Sequence, residues 1–266
     1  MAYTETTKTT YGQRVKKSFG GIGSGFVLLI VGTILLWWNE GRAVKTAKML
    51  NEAAGVTVEM TDINTVDPQF NGKLVHATGM TATIDSLIDP DFGVGVTAVK
   101  FVRKVEYYQW VERSQSKTKD KVGGGQETTT TYTYEKKWVD SPVNSEEFHD
   151  PEYQGKNRVK IAIDDLRQAA ENVTFGAYRL TKSQIASISG EQPYLFSEKD
   201  TERITKELFR EECLIDTTLA VKIQNNVVNF GSKSGTPQVG DVRVTFTKVL
   251  PAEVSLMAQV SGDTFV

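Results

Sequence analysis

Two histidines, one cysteine and several close acidic pairs are the side chains of this 266-residue chain best suited to chemistry. Catalysis or metal binding would require such groups to converge. His76 lies in a strand pattern and His149 precedes an Asp-Pro turn. Neither sits in HExxH or at another ligand spacing, and Cys213 has no CxxC partner. Cys213 falls on the apolar face of a helical pattern, where a thiol is ordinarily a core residue. Asp89/Asp91, Glu146/Glu147, Asp164/Asp165 and Glu211/Glu212 supply carboxyls. General acid–base work needs one carboxyl of raised pKa near another, which the fold sets and sequence adjacency does not. Turn and helix-start roles suit Asp89, Asp91 and Asp164. Gly123–Gly125 lacks the Lys-Ser/Thr that follows a phosphate loop and reads as a hinge. No catalytic residue, metal site or cofactor is expected, and the chain reads as a non-enzyme.

The elements that would position any site begin with residues 19–38 (FGGIGSGFVLLIVGTILLWW), an uncharged run. At about 1.5 Å per residue it makes a helix of roughly 30 Å, the thickness of a bilayer's hydrocarbon core. Arg14, Lys16 and Lys17 precede it, and Trp37, Trp38 and Arg42 close it at interfacial depth. A cleaved signal has a shorter apolar region followed by small residues, unlike this one. A transmembrane helix is therefore expected over 19–38. Gly21-Ile-Gly-Ser-Gly25 superficially matches a dinucleotide loop but lies inside this run. Gly21, Gly25 and Gly32 instead fall near one helix face, where small residues let a second helix approach closely.

Charge is unevenly placed. Residues 1–50 carry seven Lys/Arg against Glu5 and Glu40, a net +5, which leaves −7 for the rest of a chain totalling −2. Cations on both sides of a membrane helix suit anionic lipid head groups, and nothing suggests nucleic acid. The cation bias favours a cytosolic amino terminus. The expected division is a cytosolic polar tail (1–18, disordered through residue 12), the transmembrane helix (19–38), a juxtamembrane helix (39–55) and an extracytoplasmic domain (56–266). The single Cys213 allows no intrachain disulfide.

Alternation predicts strands over 73–80, 99–112, 128–139, 227–230, 242–249 and 252–260. In 99–112, Val99, Phe101, Val105, Tyr107 and Val111 share one face; Lys100, Lys104, Glu106 and Glu112 share the other. Residues 99–139 read as a long β-ribbon with a charged, Gly-rich tip. Tyr107, Tyr108, Trp110, Tyr132, Tyr134 and Trp138 give it more aromatic area than two strands can bury, so the domain's core or a partner must cover them. Short helices are expected around Ile163–Val173, after a Thr181/Gln184 capping box, and over 200–213. The fold class is α+β: an amino-terminal transmembrane helix, then a strand-rich domain with several short helices. The chain stops at Val266 soon after a strand pattern, which reads as the end of a fragment.

Several segments in order resemble the LUMA (transmembrane protein 43) family. They are Asn39-Glu-Gly-Arg-Ala-Val-Lys-Thr-Ala47, Gly72-Lys-Leu-Val-His76, and Asp89-Pro-Asp-Phe-Gly-Val94 running into Ala98-Val-Lys100. Val105-Glu-Tyr-Tyr-Gln-Trp-Val-Glu112, Tyr132-Thr-Tyr134, Trp138, Asn144-Ser145 and Pro237-Gln-Val-Gly-Asp-Val-Arg-Val-Thr-Phe246 follow. The resemblance implies one amino-terminal span, a large hydrophilic domain and three further spans toward the carboxy terminus. It brings no agreed catalytic residues. In an animal member it implies a lumenal domain at the endoplasmic reticulum and nuclear envelope, with emerin and lamins as partners. In a bacterial member it implies a plasma-membrane protein with a periplasmic domain.

The expected function is an integral membrane scaffold, a homo-oligomer that binds membrane lipids and recruits other membrane proteins through its extracytoplasmic domain. A lipid-handling protein, or an accessory subunit of a membrane enzyme, is the alternative.

Overall fold

The computed structural model describes residues 2–209, 219–231 and 235–266. In chain order, strand β1 (Ala2–Thr9) leads into helix α1 (Tyr11–Val56), then β2 (Val58–Met60), β3 (Leu74–Thr83), β4 (Ser86–Ile88) and β5 (Gly95–Thr97). The long strands β6 (Lys100–Asp120) and β7 (Gln126–Val139) form the expected ribbon. Then come β8 (Leu166–Ala169), β9 (Val173–Phe175), β10 (Tyr178–Arg179), α2 (Lys182–Ser187), β11 (Gln192–Pro193) and α3 (Glu198–Leu208). The chain closes with β12 (Ala220–Gln224), β13 (Val227–Gly231), β14 (Val242–Val249), β15 (Glu253–Ser261) and β16 (Thr264–Phe265). The α+β class read from the sequence is the class observed.

The chain divides into two compact units, one of 1–55, 110–135 and 144–156, the other of 56–109, 136–143 and 157–266. In the first, β1 runs antiparallel to β7 from Ala2↔Thr133 to Thr9↔Gln126. The expectation of a disordered tail over 1–12 is thus corrected. Tyr3, Thr4, Thr6, Thr7 and Thr9 are β-formers, and the edge of β7 offers them unpaired backbone groups. Across the ribbon, Ser116 pairs with Thr130 (2.9 Å) and Thr118 with Thr128 (3.1 Å) through their hydroxyls. At the tip, Lys121 N–H donates to Gly125 O (2.8 Å), and Gly123 and Gly124 take φ of 94° and 80°. That left-handed pair explains the glycine run as a tight turn. α1 is one unbroken helix of 46 residues.

The second unit holds two apolar cores. One sheet sets the Lys100 end of β6 beside β14, β13 and β12, with β8 on β6 and β11 on β14. Val242, Val244 and Phe246 alternate inward along β14 and meet Phe101, Val105, Tyr107, Phe92, Val228, Phe230, Ile204 and Leu208. The β12–β13 turn is Asn225-Asn226, with Asn225 at φ 55°; Asn tolerates that left-handed region. The other sheet closes on itself: β3 pairs with β15 and β9, β15 with β16, β16 with β10, and β10 with β9. This ring encloses Val75, Ala77, Phe175, Tyr178, Val260 and Phe265.

The helix expected around Ile163–Val173 is replaced by β8 and β9. Its i, i+3 apolar spacing is short, and Leu166–Ala169 finds an antiparallel partner in Lys100–Arg103, so tertiary pairing overrides a weak local pattern. At α2 the Gln184 side chain accepts from Thr181 N (2.8 Å), with Leu180 and Ile185 buried beside it, as the capping pattern implies. α3 starts at Ser197, which exchanges hydrogen bonds with Asp200, and buries Ile204 and Leu208. Phe209, just after α3, is exposed, while Cys213, Glu211 and Glu212 lie outside the described residues.

Candidate functional site

The ribbon's aromatic face is the richest side-chain cluster. In the first unit, Tyr132, Tyr134, Trp110 and Glu112 share a face because strand side chains alternate. The segment 144–156 lies on that face. Its His149 stacks on Tyr132 (ring centroids 3.9 Å, planes 15° apart), and its Tyr153 stacks on Tyr134 (4.1 Å, 6°). Trp110 meets Tyr153 edge-on at 4.8 Å. Glu112 ties strand to cover: it accepts from Tyr134 Oη (2.6 Å), His149 N (2.8 Å) and His149 Nδ1 (2.9 Å). Burial pushes the Glu112 carboxyl up, but these hydrogen bonds outweigh it and hold the group below its ordinary range. Burial and the neighbouring Glu112 carboxylate push the Tyr134 hydroxyl up.

In the second unit, Tyr107 is buried and donates to Ile163 O (2.8 Å). Tyr108 packs on Trp138 at 5.2 Å. The guanidinium of Arg243 sits 4.4 Å above Trp138, steered there by Glu106 at 2.7 Å. Tyr107 and Tyr132 are therefore core residues, and Tyr108, Trp110, Tyr134 and Trp138 are half-buried under the chain's own segments.

The same strand register places Arg103 and Gln109 among the inward apolar residues, and both are buried. Period-two counting from Phe101 reaches them, although they went unremarked in the sequence. Arg103 explains the Asp89-Pro-Asp-Phe-Gly-Val94 motif. Its Nη1 reaches both Asp89 oxygens (2.8 and 2.9 Å) and Asp91 Oδ2 (2.7 Å), and its Nε donates to Asp164 O (3.0 Å). Asp89 also accepts from the N–H groups of Asp91 and Phe92 at 2.9 and 3.1 Å. Burial pushes this carboxyl up, against the opposing pull of Arg103 and those N–H groups. The motif is a locked turn that aims Phe92 into the core, with Arg103 5.4 Å from its ring. Gln109 similarly bridges Arg158 O and Val143 N.

Helix α1 carries the remaining sequence-assigned residues. Its segment Gly23–Met49 is long and apolar enough to cross a membrane, and none of it is buried. Trp37, Trp38, Lys16 and Arg42 are exposed. Arg14 instead pairs with Asp120 (3.0 Å) and donates to Gly124 O (2.9 Å) at the ribbon tip. A Cβ added at Gly25 or Gly32 would meet nothing within 4 Å. Gly21 and Lys17 lie in the helix, outside the residues whose side chains are described. Among the described residues, no group of three or more His, Cys, Asp or Glu is placed to hold a metal ion. His76 pairs singly with Glu59 at 2.8 Å.

A model of the transmembrane protein 43 family matches residues 107–266, more than half of the chain. Transmembrane protein 43 of Rattus norvegicus is 32% identical over 237 residues, 88% of this chain and 54% of the relative. The Homo sapiens protein is 30% identical over the same shares. The Drosophila melanogaster homolog is 29% identical over 248 residues, 91% of this chain and 61% of the relative. No solved structure matches. The chain spans about half the length of the mammalian relatives. The helix long enough to cross a bilayer and the match over the ribbon and all that follows it agree: this chain belongs to the transmembrane protein 43 family, a family of membrane proteins.

Proposed function

We propose that this chain is the anchored part of a membrane scaffold that assembles with its own copies and gathers other membrane proteins. One observation carries the anchor. The segment Gly23–Met49 exposes Phe26, Leu28, Leu29, Ile30, Leu35 and Leu36, uncovered among the described residues, on a chain whose second unit buries its apolar side chains in two cores. Such a stripe is stable in lipid and costly in water. Assembly rests on the open face at Gly25 and Gly32, where no atom of the described residues lies within 4 Å of an added Cβ. The cytosolic tail, extracytoplasmic domain and compartment inferred from charge belong to this reading.

The test uses the full-length protein in native membranes. The scaffold requires it to stay in the pellet through alkaline carbonate and to give covalent dimers or larger species on cross-linking. A monomer extracted with a stoichiometric lipid would overturn the scaffold.

A lipid-handling role has one observation in its favour. A groove of about 390 Å³ lies between α2 and β15, lined by the apolar Leu180, Ile188, Val254 and Leu256 and by polar residues that include Gln184 and Glu253. That volume falls within the range of small-ligand sites.

A further inference from the structure

The tail and the ribbon are joined along the whole of β1, from Ala2↔Thr133 to Thr9↔Gln126. Tyr11 against Gly124, and Arg14 on Asp120 and Gly124 O, continue the junction into the first turns of α1. From there the helix runs unbroken to Val56. If Gly23–Met49 crosses a bilayer, the tail emerges on one side and Val58 on the other. The ribbon belongs to the chain after Val58. To meet the tail it would have to carry Lys117, Lys119, Asp120, Lys121 and Glu127 through the hydrocarbon. A ribbon there would also leave an open edge of backbone groups with no water to satisfy them. One chain cannot keep both the ladder and the crossing.

We infer that the β1–β7 ladder and the membrane crossing are alternative states, and that insertion withdraws the tail and opens Gln126–Thr133 of β7 to the same edge of a second copy. This rests on the anchored, self-assembling reading above. The occupant follows from the tail's composition. The tail (AYTETTKT) and the edge it covers (QETTTTYT) are both Thr-rich, each with one Glu and one Tyr. In the ladder Tyr3 faces Tyr132, and Thr4, Thr6 and Thr7 face Thr131, Thr129 and Thr128. A second β7 laid antiparallel about Thr130 keeps threonine against threonine at the centre of the edge: Thr130 meets Thr130 and Thr129 meets Thr131, with Thr128 opposite Tyr132. The tail thus stands in for a second ribbon edge and guards against premature strand addition, the hazard of any open edge.

Three variants of the full-length protein in a Cys213→Ser background test this. Gly32→Cys reports insertion through its shielding from a water-soluble maleimide. Thr4→Cys/Thr131→Cys reports the ladder as an intrachain disulfide under added oxidant. Thr130→Cys reports strand addition as covalent dimers with a short bismaleimide. In sealed vesicles the expected result is a shielded Gly32→Cys, near-complete loss of the intrachain disulfide, and dimers through Thr130→Cys. Synthesis without membranes should give the disulfide and no dimers. A disulfide in vesicles where Gly32→Cys is shielded overturns the exclusivity, as does its absence without membranes. Monomers throughout in vesicles overturn the second copy as occupant. A freely labelled Gly32→Cys in vesicles overturns the anchor, and this inference with it.

Discussion

The imidazole of His149 lies flat on the phenol ring of Tyr132, centroids 3.9 Å apart, while its Nδ1 is held 2.9 Å from Glu112. The segment 144–156 is thereby fastened to the ribbon by one stack and one hydrogen bond from a single side chain. His149→Ala removes both. The stack is worth about 0.5–1.5 kcal/mol and the hydrogen bond a similar amount. Limited proteolysis of the purified protein should cut within 144–156 several-fold faster, with the rest of the domain still resistant.

Acid should loosen the same fastening. The folded Glu112 carboxyl titrates below its ordinary range, so its contribution is fully present above the unfolded value, about 4.3. It is lost as pH falls through the folded value. Melting temperature followed from pH 7 down to pH 3 should drop more steeply in the wild type than in Glu112→Gln. The variant begins lower at pH 7 and shows a flatter acid limb.

Asp89 is wholly buried and Arg103 nearly so. Arg103→Met strands the Asp89 carboxylate in the core at a cost of about 3–5 kcal/mol and should sharply reduce the amount of folded protein recovered. Asp89→Ala leaves Arg103 its contact with Asp91 at 2.7 Å and should cost less. Combining Asp89→Asn with Arg103→Met removes both charges and should recover part of that loss, which denaturant titration of the surviving protein would measure.

Gly176 sits at φ 60°, and a Cβ there would lie 2.2 Å from Ile63 O. Both the backbone angle and the space forbid a side chain. Gly176→Ala should destabilise by about 1–3 kcal/mol and lower the melting temperature. Gly25→Ile, by contrast, meets open space and should leave melting unchanged while reducing cross-linked oligomers if the scaffold packs through that face.

Local pattern was enough where it is redundant. The apolar run, the alternation of 99–112 and 242–249, the Thr181/Gln184 box and the family motifs each rest on neighbouring residues whose spacing repeats. The aromatic surplus of the ribbon was legible too, but not what covers it. His149 and Tyr153 lie in an irregular segment with no period to read, and their stacking on Tyr132 and Tyr134 depends on how the chain returns.

Sequence by itself determined that this chain carries a helix able to cross a bilayer and belongs on strand-rich lines, because burial of apolar surface and side-chain alternation are properties of contiguous residues. Only the tertiary structure decided that the Thr-rich tail is a strand, that Ile163–Val173 is not a helix, and that Arg103 and Asp89 meet in the core. Each of those depends on a partner distant in the chain: the β7 edge for the tail, Lys100–Arg103 for β8, and a guanidinium 14 residues away for the Asp89 turn. Backbone groups and buried charges must find partners wherever the fold supplies them, and no local spacing records where that will be.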